Sequence, residues 1–354
     1  MARLRRALGK HRVQALLVTD PIAVGYLSGF TGEDSWLVAG KGKGWLLTDS
    51  RFAEQAEADC PGFVVTVRKG SLIEALGPIV RRKGVKRLAF DPDAVSVGLL
   101  GRLRKGLKGV RLMPVPQVLA DLRVRKDATE LAAIGRAVRV AEEAWAAFRK
   151  SIRLGMTEQR LAAELEHQMR LAGADGPAFP TIVAIDAWAA RPHAIPGGRR
   201  LKRGSVLLVD FGAKVGGYVS DLTRVLFAGK IRPLVRRVYG VVYAAQAAGI
   251  ARVKPGVPLT QVDAAVRGVI ADAGFGECFG HGTGHGIGRQ VHEGPGLAPK
   301  GVKGNLEPGM VVTIEPGIYL KGRFGIRIED DVLVTPTGHR VLTRVEKDLD
   351  AMIL

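Results

Sequence analysis

Cysteine is scarce in this 354-residue chain: Cys60 and Cys278 stand far apart. Two such residues exclude a disulfide framework and suit a reducing compartment. Cys278 lies close to a histidine cluster, but reads as a small buried residue at a strand end rather than a thiolate ligand. Aromatic residues make up only 6%, too little material for a base-stacking nucleic-acid platform. No apolar run approaches the ~20 residues needed to cross a bilayer. The opening MARLRRALGKHRVQALLVTD has no apolar stretch long enough for a secretory signal, so the expected location is the cytoplasm, with no membrane partner. Acidic residues are outnumbered, 34 against 53 Lys and Arg, for a formal charge of +19. The excess is spread over the chain, with 20 Lys/Arg against 10 Asp/Glu in residues 1–120 and 33 against 24 beyond. A nucleic-acid reader concentrates its charge in a stripe or docking motif. The charge therefore reads as a solvated basic surface without a specific nucleic-acid partner.

Seven histidines are also few, yet three of them fall in HGTGHGIGRQVHE, residues 281–293. The surrounding chain is α/β in pattern. QALLVTD (14–20), FVVTV (63–67) and RLAFD (87–91) read as strands, and SWLVAGKGKGWLLTD (35–49) as a hairpin turning at GKGKG. RFAEQAEA and SLIEALGPIVRRKG read as helices between them. Residues 115–137 pass from a Pro-bearing linker into a helix with Asp127 or Thr129 as N-cap. This predicts two domains, 1–122 and 123–354.

The second part holds a faint internal repeat. Gly155 to Gly173 and Gly256 to Gly274 each enclose a helical pattern, with Leu161, Leu165 and Met169 matching Val262, Val266 and Ile270. Two related halves facing each other would leave a cleft.

Beyond Leu201 the pattern turns to strands: SVLLVDFGAKVGGYVSDLTRVLF as two strands around a GG turn, then MVVTIEPGIYL and GIRIEDDVLVTP. Carboxylates occupy places where apolar residues are expected: Asp210, Asp221, Glu315 and Glu329. Burying one unpaired carboxylate costs several kcal/mol. Arg224 and Arg327 lie nearby, but two arginines do not neutralise four carboxylates; two divalent cations would. Carboxylate oxygens with one imidazole suit Mn²⁺, Co²⁺, Zn²⁺ or Fe²⁺. Two such ions ~3.5–4 Å apart can activate water and polarise a carbonyl together. One histidine of HGTGHGIG would be the nitrogen ligand, its glycines letting backbone pack close to the metals. Any one acid reads more simply as a surface residue; five such segments in this order do not.

On VDFGA, SDLTR, HGTGHGIG, TIEPGIY and RIEDD the chain resembles the proline-specific metallopeptidases of the pita-bread fold, prolidase and aminopeptidase P, relatives of methionine aminopeptidase. LLVTDPIAVGYLSGFTG to LLTDSRFAEQAE resembles their creatinase-like N-terminal domain. The resemblance implies metal ligands Asp210, Asp221, His285, Glu315 and Glu329 for two divalent ions, Mn²⁺ first among them. It implies that His193 (in RPHAIPG) and His292 (in VHEGP) bond substrate and the tetrahedral oxyanion, that His281 lies on the substrate side, and that Arg327 orients a metal-bound carboxylate. Glu315 would relay protons as well as ligate. The segment AIDAWAARPHAIPGG (184–198) departs from the family's pattern with Trp188 and Arg191 where relatives line the substrate entrance. Trp188 there either caps the pocket or stacks on a longer peptide. Arg191, Arg199 and Arg200 either capture a dipeptide's carboxylate or face solvent. The expected activity is release of an N-terminal residue from an Xaa-Pro bond, by a homodimer whose N-terminal domain lines the neighbour's cleft. The alternatives are a dipeptidase and an inactive binding protein on the same scaffold.

Overall fold

The computed structural model describes residues 2–40 and 42–354. The chain divides between Leu122 and Arg123 into two compact units.

The first unit is a six-stranded sheet. Its strands are β1 (Ala15–Val18), β2 (Trp36–Gly40), β3 (Gly44–Thr48), β4 (Phe63–Val67), β5 (Arg87–Phe90) and β6 (Arg111–Pro114), in the order β4-β3-β2-β1-β5-β6. The hairpin β2–β3 is antiparallel, and its turn includes Lys41, outside the described residues. Pairs β1–β5, β5–β6 and β3–β4 are parallel. Leu16 and Val18 pack into one core cluster while Ala15 and Leu17 pack into another. The sheet is thus covered on both faces, which is why ALLV reads as an unbroken apolar run. Helices α1 (Ala2–Lys10), α2 (Pro21–Ser28), α3 (Ala53–Asp59), α4 (Leu72–Arg82), α5 (Val97–Gly106) and α6 (Val118–Val124) alternate with these strands.

The second unit opens with α7 (Ala128–Ser151). Asp127 is its cap: the carboxylate accepts from the N–H groups of Thr129 and Glu130, and Glu130 accepts from the Asp127 N–H. Asp127→Ala is expected to cost about 1 kcal/mol and lower the melting temperature by roughly 2–4 °C. An unchanged melting curve would show that packing, not the cap, sets where this helix begins.

Three further helices follow: α8 (Glu158–Leu171), α9 (Pro233–Arg252) and α10 (Leu259–Asp272). The repeat is real in three dimensions. α8 packs on α7 and α10 on α9. Leu161, Leu165 and Met169 on α8, like Val262, Val266 and Ile270 on α10, are completely buried. Gly155, Gly173, Gly256 and Gly274 all take φ between 81° and 98°, a left-handed backbone that glycine alone adopts without strain. No helix among the described residues is long and apolar enough to cross a membrane.

The strands of this unit are β7 (Gly176–Pro177), β8 (Ile182–Ile185), β9 (Val206–Phe211), β10 (Ala213–Val215), β11 (Tyr218–Val219), β12 (Leu222–Phe227), β13 (Gly284–Gly286), β14 (Glu293–Leu297), β15 (Val311–Ile314), β16 (Gly317–Leu320), β17 (Phe324–Arg327), β18 (Asp330–Val334) and β19 (His339–Val341). They correct the reading of these segments as continuous strands. SVLLVDFGAKVGGYVSDLTRVLF is four strands, and β9 pairs with β12 in a sheet with β8. MVVTIEPGIYL divides at Glu315–Pro316, since a proline has no N–H to continue a ladder. GIRIEDDVLVTP divides at Ile328–Glu329. Strands β15 and β18 pair in the five-stranded sheet, and β16 and β17 form a separate ribbon. The backbone N–H of Glu315 donates to Thr283 O at 2.8 Å and that of Glu329 to Thr223 O at 3.2 Å. Glu315 and Glu329 therefore stand where the chain crosses from one sheet to the next.

Candidate metal centre

Asp210 comes from β9, Asp221 from the residue before β12, His285 from β13, Glu315 from the end of β15, and Glu329 from the β17–β18 crossing. All five line one cleft of about 520 Å³. His193, His281, His292 and Arg327 line it too. Its remaining wall is largely apolar, including Phe179, Ile182, Pro192, Ile195, Pro196 and Val291.

The glycines around His285 have a narrower purpose than close approach to an ion. A Cβ on Gly284 would meet Thr313 O at 2.0 Å, and one on Gly286 would meet Gly294 O at 2.1 Å. Glycine lets β13 lie between β14 and β15, and so brings the His285 ring into the cleft.

Asp221, His285 and Glu329 offer ligand atoms within 4.8 Å of one another. The His285 Nε2 is 3.3 Å from Glu315 Oε1 and 3.7 Å from Asp221 Oδ2. Its Nδ1 lies 3.1 Å from Gly286 O, an acceptor, so Nδ1 carries a proton and Nε2 faces the carboxylates; burial opposes a charge on the ring, but the Glu315 hydrogen bond and charge raise its pKa. A ring proton offsets only one of the four carboxylates that line the cleft, and a cation bound there would take its place.

The acids show the same imbalance. Burial, then the neighbouring Glu329 and Asp210 charges, push the Asp221 carboxyl well above its ordinary value. Burial, then Glu315 and Asp210, do the same to Glu329. Asp210 is also raised by burial, although Arg327 opposes this. Burial works against Glu315 as well, but the hydrogen bond and charge of His285 hold it below the usual range. Asp210 Oδ1 is buried without a hydrogen-bond partner. A cluster of buried acids, a free carboxylate oxygen and an imidazole nitrogen is the donor set that hard and borderline divalent cations take. The residues fit such ions.

Hydrogen bonds hold these groups in place. Arg327 donates from Nη2 to Asp210 Oδ2 at 2.5 Å, from Nε to Thr223 Oγ1 at 3.1 Å and from Nη1 to the Tyr319 hydroxyl at 2.8 Å. Thr223 Oγ1 in turn donates to Glu329 Oε2 at 2.6 Å. His281 Nδ1 donates to Gly282 O, leaving Nε2 to accept from the Tyr319 hydroxyl at 2.9 Å. Burial lowers the His281 pKa, and its proximity to Arg327 adds to this. His292 is exposed, its ring packed edge-on against that of His285 at 4.4 Å. Its pKa too is lowered by burial and by His285.

Three residues escaped the sequence reading. Thr223 and Tyr319 link Arg327 to Glu329 and His281. Asp331 is fully buried and accepts from the Asp221 backbone N–H at 3.1 Å; burial raises its carboxyl to about 7. The signal that finds them is the period of two. Asp221 and Thr223 share one parity, and so do Arg327, Glu329 and Asp331, so each set faces one way in an extended backbone.

Trp188 is placed elsewhere than expected. It lines a second cavity and not the cleft, as do Arg191, Arg199 and Arg200. The Trp188 indole N–H donates to Ile195 O at 3.0 Å, and both Arg191 and Arg199 stack on its ring, so neither cap nor peptide platform remains available. Arg224 does not line the cleft either; its charge pairs with Asp330. Cys278 ends a 3₁₀ turn, half-buried, rather than a strand.

The sequence matches metallopeptidase family M24 over residues 132–336 and the Creatinase/Prolidase N-terminal domain over residues 1–125. An uncharacterized peptidase, YqhT, of Bacillus subtilis is 37% identical over 99% of both chains. The structure resembles an Xaa-Pro dipeptidase from Bacillus anthracis with a TM-score of 0.95 at 34% identity, covering 100% of this chain and 98% of that one. It resembles an X-Pro aminopeptidase from Thermotoga maritima with a TM-score of 0.93 at 35% identity, covering 99% and 100%.

Proposed function

This chain belongs to metallopeptidase family M24, a hydrolase family with the pita-bread catalytic domain preceded here by a creatinase-like domain, and we propose that it is a two-metal Xaa-Pro aminopeptidase. The observation that carries the proposal is the convergence of Asp210, Asp221, His285, Glu315 and Glu329 in one apolar-walled cleft. These five would hold two divalent cations, Mn²⁺ foremost. When bound, the cations supply a water that is nucleophilic at neutral pH and polarise the scissile carbonyl.

The chain's own residues do the rest. Arg327 fixes one oxygen of Asp210 and leaves the other free to ligate. Glu315, held ionised beside His285, is suited to take a proton from the attacking water and hand it on to the leaving proline nitrogen. His193 and His292, exposed on the cleft wall, would donate to the substrate carbonyl and the oxyanion. His281 reaches Arg327 through Tyr319 and steadies that arginine. An Xaa-Pro bond has no amide N–H, so selectivity falls to the apolar wall meeting the pyrrolidine ring. A homodimer in the cytoplasm completes this reading, with proline-containing peptides as substrates.

The aminopeptidase is preferred to the dipeptidase for a reason of charge. Among the described residues, Arg327 is the one Lys or Arg lining the cleft, and it is committed to Asp210, Thr223 and Tyr319. A dipeptide's carboxylate would have no uncommitted arginine or lysine to meet there. The dipeptidase reading draws on relatives such as the Bacillus anthracis protein. The deciding measurement is hydrolysis of Ala-Pro-Ala, Ala-Pro and Ala-Ala-Ala with Mn²⁺ present. Ala-Pro-Ala should exceed each of the others by about tenfold or more in kcat/KM, the scale of pocket-based discrimination. Turnover of Ala-Pro alone reassigns the protein as a dipeptidase. Rapid cleavage of Ala-Ala-Ala removes proline specificity, and cleavage of none of them returns the inactive binding protein.

A further inference from the structure

The stretch from Asp186 to Arg200 borders two cavities. Pro192, His193, Ala194, Ile195 and Pro196 line the metal cleft. The residues on either side of them line another cavity, of about 770 Å³, together with Lys202 and Lys321, and the two linings share no residue. Five of its eleven lining residues are Lys or Arg, against 53 of 354 in the chain, so general basicity does not account for the concentration.

Four of these five charges lack a carboxylate partner among the described residues. The one acid in the lining, Asp186, has both oxygens engaged, by the Ser205 hydroxyl and the Val206 N–H, each at 2.9 Å. Arg199 has a carboxylate, Glu158, at 3.2 Å. Arg200 donates only to the Gly155 carbonyl. Among the described residues no carboxylate lies within ion-pair distance of Arg191, Arg200, Lys202 or Lys321, a set of like charges whose mutual repulsion a bound anion would relieve.

The geometry around Trp188 says what kind of anion. The guanidinium carbons of Arg191 and Arg199 lie 3.6 Å and 3.5 Å from its ring centroid. Two groups so close to one centroid must take opposite faces. Stacking fixes the guanidinium planes while leaving N–H edges free for oxyanions, and it leaves no ring face for a base or aromatic group. One carboxylate would neutralise a single member of the set. A short row of phosphates brings several charges into one cavity and matches the arginine forks.

We propose that this cavity is a binding site for an oligophosphate, recognised by charge alone, behind the wall of the peptide cleft. Trp188, through its bond to Ile195 O, joins the site to that wall. The phosphate row could come from free tripolyphosphate or a nucleoside triphosphate, and both are tested. Calorimetric titration of the metal-loaded protein, freed of excess metal and at low ionic strength, should show one equivalent of each bound with similar affinity. Lys202→Gln/Lys321→Gln, at two exposed positions, should weaken both by about tenfold or more. Arg104→Gln/Lys105→Gln, two exposed cations on α5, should leave both unchanged. The proposal is overturned by no binding, by several equivalents per chain, by equal weakening in the two variants, by unchanged affinity in the first, or by ATP binding far more tightly than tripolyphosphate. None of these outcomes bears on the peptidase reading, because neither lysine lines the cleft.

Discussion

Exhaustive chelation is expected to reduce hydrolysis of Ala-Pro-Ala to background, and added Mn²⁺ or Co²⁺ to restore it. The expectation follows from the charge balance of the cleft. Asp210, Asp221, Glu315 and Glu329 converge there, Arg327 is the one Lys or Arg lining the cleft among the described residues, and His285 Nε2 faces two of the acids. His285→Ala removes the sole nitrogen donor among the five. It should lower metal affinity by more than the roughly 10–100-fold that loss of an outer-shell partner costs, with activity falling in parallel. Metal content by elemental analysis separates loss of the ion from loss of chemistry. Full activity in protein proven metal-free would end the two-metal reading. The ion-free protein has its own signature. Burial and like charges raise the Asp221 and Glu329 carboxyls, so the folded state keeps protons that the unfolded chain releases near its ordinary carboxylate pKa of about 4. Stability contributed by these groups is then present at acid pH and lost as pH rises through the folded values. Added Mn²⁺ should accordingly raise the melting temperature more at neutral pH than at acid pH; an equal rise at both would separate the carboxylates from ion binding.

Arg224→Ala is expected to destabilise the protein by about 3–5 kcal/mol, the cost of leaving a buried charge without its partner. Arg224 is completely buried. It donates to Asp330 Oδ1 at 2.7 Å and to four backbone carbonyls: Thr223 at 2.9 Å, Glu329 at 2.6 Å, Val345 at 2.7 Å and Glu346 at 3.2 Å. Asp330 also accepts from Lys347, Gln246 and Thr343. Burial acts to raise its carboxyl, but Arg224 and then Lys347 hold it below the ordinary value. Arg224→Lys should rescue only part of the loss, because a single ammonium cannot replace a planar fork with this many acceptors. Denaturant unfolding gives the comparison. A loss under about 1 kcal/mol, the range of an exposed pair, would mean that water reaches the site once the arginine is gone. Since Arg224 also holds the Glu329 carbonyl, weaker metal binding should accompany the lost stability.

Arg224 and Asp330 mark where the sequence stops being informative. Both sit in segments that carry candidate ligands, SDLTR and RIEDD, and by residue type either belongs with that cluster. Their parity along the strands is opposite to that of Asp221 and Glu329, and this puts them on the other face. The same alternation places Asp331 and Thr223 beside the cluster, although neither stands out by residue type. Trp188 and the arginines around it illustrate a further limit. They flank His193 in sequence, but Trp188 sits in a short 3₁₀ turn at Asp186–Ala190 and, with these arginines, lines a different cavity.

By itself the sequence determined the family and the helical repeat and pointed to the candidate ligands, because each is written in residue chemistry at short spacing: carboxylates in apolar runs, histidines among glycines, apolar residues at helical period. Only the tertiary structure decided that Thr223 and Tyr319 tie Arg327 to Glu329 and His281, that Arg224 pairs with Asp330 instead, and that the strands break at Glu315 and Glu329. Those outcomes depend on how separate sheets meet, through a proline that cannot extend a ladder and backbone hydrogen bonds between segments as distant as Thr223 and Glu329. No local pattern encodes contacts made across more than a hundred residues.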